Sequence, residues 1–168
     1  MDEPKTPPSL SDALVALLPR LRRFARTLAR DAADADDLVQ QALERAWARA
    51  DQWQPDRGLE GWVFGILRNA FLDEQRRHGR TSERFAPQEL GDNVGVQPDE
   101  AMDTRSAVHS AMARLPEDQR SALMLVLVEG LSYREAAQAL GIPEGTLTSR
   151  LARGRAALQA FLAEGGYP

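Results

Sequence analysis

One run in the carboxy-terminal third constrains this chain more than anything else in it. Ser132 stands where a helix would begin, with Glu135 three residues on; Gly141 follows, then Pro143, then a second helical pattern through Arg153. Serine and glutamate at that spacing make a reciprocal capping box, glycine takes the left-handed conformation that ends a helix, and proline presets the opening of the next. The run predicts a helix-turn-helix, the arrangement that offers one helix to the major groove of DNA.

At about 100° per residue, Leu147, Leu151, Gly154, Leu158 and Leu162 fall on one side of the second helix, with Phe161 at its edge, and this side is expected in the core. The opposite side carries Ser149, Ala152, Arg153 and Ala156, flanked by Thr148. Small and hydrogen-bonding residues beside an arginine suit a surface that approaches base edges, because arginine pairs with guanine and a small apolar group touches the thymine methyl. Arg150 and Arg155 lie on the flanks, where phosphates would run. A solvated basic face is the alternative for this helix alone. Cap, turn and face in register favour DNA.

With 168 residues, 43% hydrophobic and 27% charged, the chain can hold one ordinary domain or two small ones. No apolar run reaches the roughly twenty residues of a membrane span, and no basic segment leads into an apolar stretch, so no membrane insertion or secretory signal is expected. The absence of cysteine excludes disulfides and cysteine zinc sites, and His78 and His109 alone make no metal cluster. A reducing cytoplasm is compatible with this composition.

The net charge of -4 conceals a segregation. Arg20, Arg22, Arg23, Arg26 and Arg30 form a basic block, and Asp31, Asp34, Asp36, Asp37 and Glu44 an acidic one directly after it. Basic residues return at Arg68, Arg76, Arg77, Arg80 and Arg84, and acidic ones at Glu89, Asp92, Asp99, Glu100 and Asp103. Such blocks either solvate helices or meet different partners on different surfaces.

Nearly every periodic segment has helical spacing, and no period-two alternation argues for a sheet. Leu14, Leu17, Leu18, Leu21, Phe24, Ala25 and Leu28 form one stripe, with a bend expected at Pro19. A second helix over residues 34–50 turns Leu38, Ala42, Leu43 and Ala46 to the core, and a third over residues 59–77 carries Trp62, Ile66, Asn69, Ala70 and Asp73 at helical spacings. From His78 to Asp103 the pattern gives way to a polar stretch punctuated by Gly79, Pro87, Gly91, Gly95 and Pro98, which reads as a linker. Beyond it come a helix over residues 106–114, one opening at Pro116 with Leu123, Met124, Leu127 and Val128, and the helix-turn-helix. The expected fold is all-α: two small helical domains joined by a flexible acidic linker.

Asp37, Gln40 and Glu44 stand at i, i+3 and i+7 and share one helix face. Carboxylates and an amide there suit arginines of a protein partner and would repel nucleic acid; a merely solvated face is the alternative. The aromatics Trp47, Trp53, Trp62, Phe64 and Phe71 mix with Arg57, Arg68, Arg76 and Arg77, the composition of a single-strand binder, in which rings stack on unpaired bases. Trp47, Trp62 and Phe71 are assigned to packing, and the loop from Gln52 to Gly61 is reserved for a base pocket. No nucleophile is paired with a histidine and no phosphate loop is present, so the chain is not expected to be an enzyme and needs no cofactor.

The segments from Asp34 to Trp47 and from Gly61 to Asn69, the pair Arg76-Arg77, the run Leu115-Pro116-Glu117-Asp118-Gln119-Arg120, and those from Glu129 to Tyr133 and from Gly145 to Arg150 together closely resemble the extracytoplasmic-function (ECF) sigma factors of bacterial RNA polymerase. The resemblance spans Leu10 to Leu162. It implies a tail over 1–9, sigma region 2 over 10–78, a linker over 79–103, region 4 over 104–163 and a tail over 164–168. By the same resemblance, Asp37, Gln40 and Glu44 dock on the core polymerase β′ coiled coil. Gln52, Trp53, Arg57, Asn69, Arg76 and Arg77 read the minus-ten element, trapping a base flipped from the opened strand. Thr146, Thr148, Ser149, Arg150, Ala152 and Arg153 meet the minus-thirty-five element.

The resemblance further implies a cytoplasmic promoter-specificity subunit with core polymerase (β′ and β subunits), promoter DNA and an anti-sigma protein as partners. The acidic linker would thread the channel later taken by RNA, and no added regulatory domain is expected in a chain of this length. A stand-alone helix-turn-helix regulator, with the first half serving effector binding or dimerisation, is the competing reading.

Overall fold

The computed structural model describes residues 9–54, 58–82 and 100–165, with side chains over 80–82 and 100–106 left aside. The described residues form seven α-helices and no strand: α1 (Leu10–Leu28), α2 (Ala32–Ala48), α3 (Leu59–Ser82), α4 (Glu100–Ala113), α5 (Glu117–Leu123), α6 (Tyr133–Leu140) and α7 (Glu144–Glu164). A single 3-10 turn, Ala50–Gln52, follows α2.

Local signals set the helix ends. Ser9 accepts from the Asp12 amide to start α1, and Asp31 from the Asp34 amide, at 2.8 Å, to start α2. Pro19, where a bend was expected, sits inside one uninterrupted α1. The carbonyl it leaves without an amide belongs to Val15, and both residues lie on the exposed side of the helix. The helix α3 runs to Ser82, beyond the expected end at Arg77, and α4 opens at Glu100, inside the expected linker; the rest of that linker, including Glu89, Asp92 and Asp99, lies outside the described residues.

The first half packs α1, α2 and α3 around Leu21, Phe24, Leu38, Ala42, Phe64 and Leu67, all buried, with Phe24 edge-on to Phe64 at 5.5 Å between centroids. The second packs α5 and α7 through Leu123, Leu147 and Leu151. Gly154 makes that crossing close, since a Cβ there would stand 3.0 Å from the Leu123 Cδ1.

Between Met124 and Val128 the backbone makes a π-turn, closed by the Glu129 amide on the Met124 carbonyl at 2.9 Å. The extra residue rotates the chain: Leu125 is fully buried, whereas Leu127 and Val128, expected along one apolar helix, are 51% and 49% exposed. Glu129 is thereby turned inward.

The two halves pack directly on one another. Their buried residues form one continuous cluster, with α3 lying along α6.

Candidate nucleic-acid and partner interfaces

The helix-turn-helix forms as expected. Ser132 and Glu135 make the capping box in both directions, and Gly141 ends α6 at φ 64°. The turn to α7 buries Leu147, Leu151 and Gly154 inward and leaves Thr148, Ser149, Ala152 and Arg153 exposed along the outer side, with Thr146 half-buried at the first turn. Thr148 and Ser149 donate their hydroxyls to the carbonyls of Glu144 and Gly145, at 3.0 and 3.1 Å, and Arg153 Nε donates to the Ser149 carbonyl. The hydroxyl oxygens keep acceptor lone pairs toward solvent.

Arg150 behaves differently from its neighbours. Its side chain is only 19% exposed and pairs with Asp118 of α5 at 3.3 Å, so it acts as a strut between α5 and α7 and does not stand free on a flank. Its Nη1 is buried without a partner.

On α2, Asp37, Gln40 and Glu44 are all exposed and share a face, as their spacing predicts. Trp47, one turn beyond, was expected to pack; it is 61% exposed. Its ring forms one wall of a groove of about 460 Å³ between α1 and α2, lined by Leu14, Val15, Leu18, Leu43 and Glu44. The sequence reading missed this because an aromatic at helical spacing from Leu43 looks like core, and only the position of α1 leaves it at the edge.

The third residue set is distributed along α3 and the turn before it. Gln52 is exposed, Trp53 is half-buried with its indole Nε1 buried and unpartnered, and Arg57 lies outside the described residues. Trp62 is half-buried and Phe71 buried, in keeping with packing. Asn69, Arg76 and Arg77 are exposed, with Asn69 and Arg76 two turns apart on one side. Asp73 ties α3 to α2: Arg45 donates to it at 2.8 Å and Arg76 approaches its other oxygen at 3.5 Å. The Arg45 hydrogen bond, then the neighbouring guanidinium charges, hold the Asp73 carboxyl below its ordinary value. Arg68, one of the basic residues grouped with the aromatics, is 11% exposed and reaches Glu117 and the Leu140 carbonyl of the second half.

No group of three or more His, Cys, Asp or Glu among the described residues could hold a metal ion, and no described helix is long and apolar enough to cross a membrane.

The chain is similar to known proteins over most of its length. Residues 14–81 match the Sigma-70 region 2 family and residues 105–158 the Sigma-70 region 4 family. The chain is 41% identical over 155 residues to the ECF RNA polymerase sigma factor EcfG of Rhodopseudomonas palustris, covering 92% of this chain and 85% of that one. It is 38% identical over 144 residues to the ECF RNA polymerase sigma factor SigM of Mycobacterium tuberculosis, covering 85% and 71%. Among solved structures, the sigma factor RpoE of Bartonella quintana, crystallised with the anti-sigma factor NepR, superposes with a TM-score of 0.80 at 35% identity, over 91% of this chain and 96% of that one.

Proposed function

The chain belongs to the ECF RNA polymerase sigma factors, and from that premise we propose a division of labour among its surfaces. It is a DNA-binding transcription initiation factor that directs core polymerase to promoters, and the stand-alone regulator is not favoured. Region 2 is assigned to residues 10–78 and region 4 to residues 104–163, with the segment between them as a linker.

The observation that carries the assignment is α2, which presents Asp37, Gln40 and Glu44 on an exposed face continuous with Trp47 and an apolar groove. Carboxylates repel DNA, and an exposed tryptophan beside charged residues is the composition of a protein-docking surface. This face takes the β′ subunit of core polymerase. Thr148, Ser149, Ala152 and Arg153, with Thr146 at their edge, meet the bases of the minus-thirty-five element; Arg150 supports that helix from behind. Gln52, Trp53, Arg57, Asn69, Arg76 and Arg77 form the minus-ten surface, where stacking and edge hydrogen bonds offset the few kcal/mol of flipping a base.

The protein acts in the cytoplasm, where polymerase and promoters are. An anti-sigma protein is a further partner, by analogy with the Bartonella quintana pair, and the groove between α1 and α2 offers it apolar surface. Sigma factors are transcription initiation factors by family, and no catalytic step is assigned to this chain.

The experiment is Asp37→Arg. Association with purified core polymerase should fall at least tenfold while the melting temperature stays within about 2 °C, because an exposed substitution changes stability by no more than about 0.5 kcal/mol. Undiminished association, or a melted protein, overturns the assignment of this face.

A further inference from the structure

The outer side of α7 forms two columns, Glu144, Thr148 and Ala152 in one and Gly145, Ser149 and Arg153 in the other, all exposed and each residue four positions from the next. A serine or threonine hydroxyl ordinarily serves either a donor or an acceptor on a base edge, since it is itself both. Here the hydrogens are committed. Thr148 Oγ1 donates to the Glu144 carbonyl at 3.0 Å and Ser149 Oγ to that of Gly145 at 3.1 Å, which leaves only lone pairs facing outward. Glu144 adds an exposed carboxylate, a further acceptor. Gly145 has no Cβ and open space where one would stand, so the approach to the Ser149 oxygen is clear. Among the exposed side chains of α7, donors resume only at Arg153, whose Nε is spent on the Ser149 carbonyl and whose two terminal nitrogens remain.

We propose that Glu144, Thr148 and Ser149 make the first turn and a half of α7 an acceptor-only reading edge, which selects amino bases, adenine or cytosine, over keto bases on the strand it faces. This rests on the assignment of α7 to the minus-thirty-five element. In the major groove adenine and cytosine show amino groups where guanine and thymine show keto oxygens. An amino hydrogen meets a lone pair of Thr148 or Ser149 without disturbing the helix. A keto oxygen meets a second acceptor unless the hydroxyl first turns away from its carbonyl, and the loss of one ordinary hydrogen bond is a factor of about three to ten. Toward Glu144 a keto oxygen has no such way out, because a carboxylate has no hydrogen to turn. The same carboxylate repels the phosphates that flank the groove, so Glu144 lowers affinity and raises selectivity. The polarity inverts one turn on at Arg153, whose donors fit guanine. One face of one helix thus sorts two kinds of base edge.

The experiment uses holoenzyme assembled from the full chain and core polymerase, selecting from duplex promoters randomised over the minus-thirty-five element. At the positions that respond to Thr148→Ala and Ser149→Ala, the wild type should favour adenine or cytosine about three- to tenfold over guanine or thymine, and each variant should flatten its own position. Both variants should keep the melting temperature of the free chain, since the positions are exposed and alanine is the better helix former. Glu144→Ala should bind promoters of every sequence about threefold more tightly and discriminate among them less, whereas removal of a merely solvated carboxylate would leave discrimination unchanged. Base analogues isolate the group that is read. Purine in place of adenine, or pyrimidinone in place of cytosine, lacks the amino group and should lose the advantage with the wild type but nothing further with the matching alanine variant. Deaza-adenine, which keeps the amino group and lacks N7, should bind as adenine does. Keto bases preferred at the responding positions, or preferences that all three variants leave unchanged, overturn the acceptor edge and leave the sigma-factor assignment standing. A holoenzyme that initiates from no template, or that shows no preference anywhere in the element, overturns the assignment of α7 and the acceptor edge with it.

Discussion

Ser132 and Glu135 show how much one pair of side chains specifies. The serine amide and hydroxyl both donate to one Glu135 carboxylate oxygen, at 2.9 and 2.7 Å, while the serine oxygen accepts the Glu135 amide. These bonds, the hydroxyl's first, hold the Glu135 carboxyl below its ordinary value. A carboxyl depressed in the folded chain contributes stability that is complete above its unfolded value and disappears as the pH falls through its folded one. Ser132→Ala should therefore cost about 1 kcal/mol at neutral pH. In urea titrations the gap between variant and wild type should narrow as the pH drops below the glutamate range; a gap constant down to acid would show that the carboxylate takes no part. This pair was legible in the sequence because a cap depends on two residues at fixed spacing. Trp47 was not, because its exposure depends on where α1 lies.

Helix α7 separates two arginines that the sequence assigned to one DNA-binding set, Arg153 on its reading side and Arg150 on its flank. Arg153 is exposed and folded back on its own helix, whereas Arg150 is braced against Asp118 of α5. Arg153→Ala should leave the thermal unfolding of the free protein unchanged and, in run-off transcription over a randomised promoter, relax preference at one minus-thirty-five position by about 1–3 kcal/mol. An equal loss on every sequence would make Arg153 a phosphate contact. Arg150→Ala should lower the melting temperature in the absence of any DNA, and an unchanged melt would return Arg150 to the DNA surface. Both read as DNA-facing in the sequence, Arg153 on the reading side and Arg150 on a flank, since helical periodicity assigns a direction but not the depth of a neighbouring helix. The π-turn escaped for a related reason. One inserted residue keeps the run of Met124, Leu125, Val126, Leu127 and Val128 apolar throughout, so no break in pattern marks it, yet it decides that Glu129 faces inward.

At the scale of the whole molecule, helical content and two halves followed from periodicity, but their packing against each other did not. Gly61 and Gly65 weaken a helix taken alone, and Arg20 and Arg23 read as part of a solvated basic block. Only the partner surface gives them a purpose: Glu129 receives the two arginines from more than a hundred positions away, and α6 packs against the two glycines at Glu135 and Ala139. That coupling has a thermodynamic consequence. Because the buried residues of both halves form one cluster, the free chain should unfold in a single calorimetric transition, with van't Hoff and calorimetric enthalpies equal. Gly65→Val puts side-chain atoms against the α6 backbone, where even a Cβ would stand 3.2 Å from the Ala139 carbonyl oxygen, and it replaces glycine with a better helix former. Its melt should split into two transitions, one per half, with region 2 losing none of its own packing. A single transition that persists in the variant would mean that the halves are joined by something other than the α3–α6 seam, and two transitions in the wild type would mean that they are scarcely joined in solution.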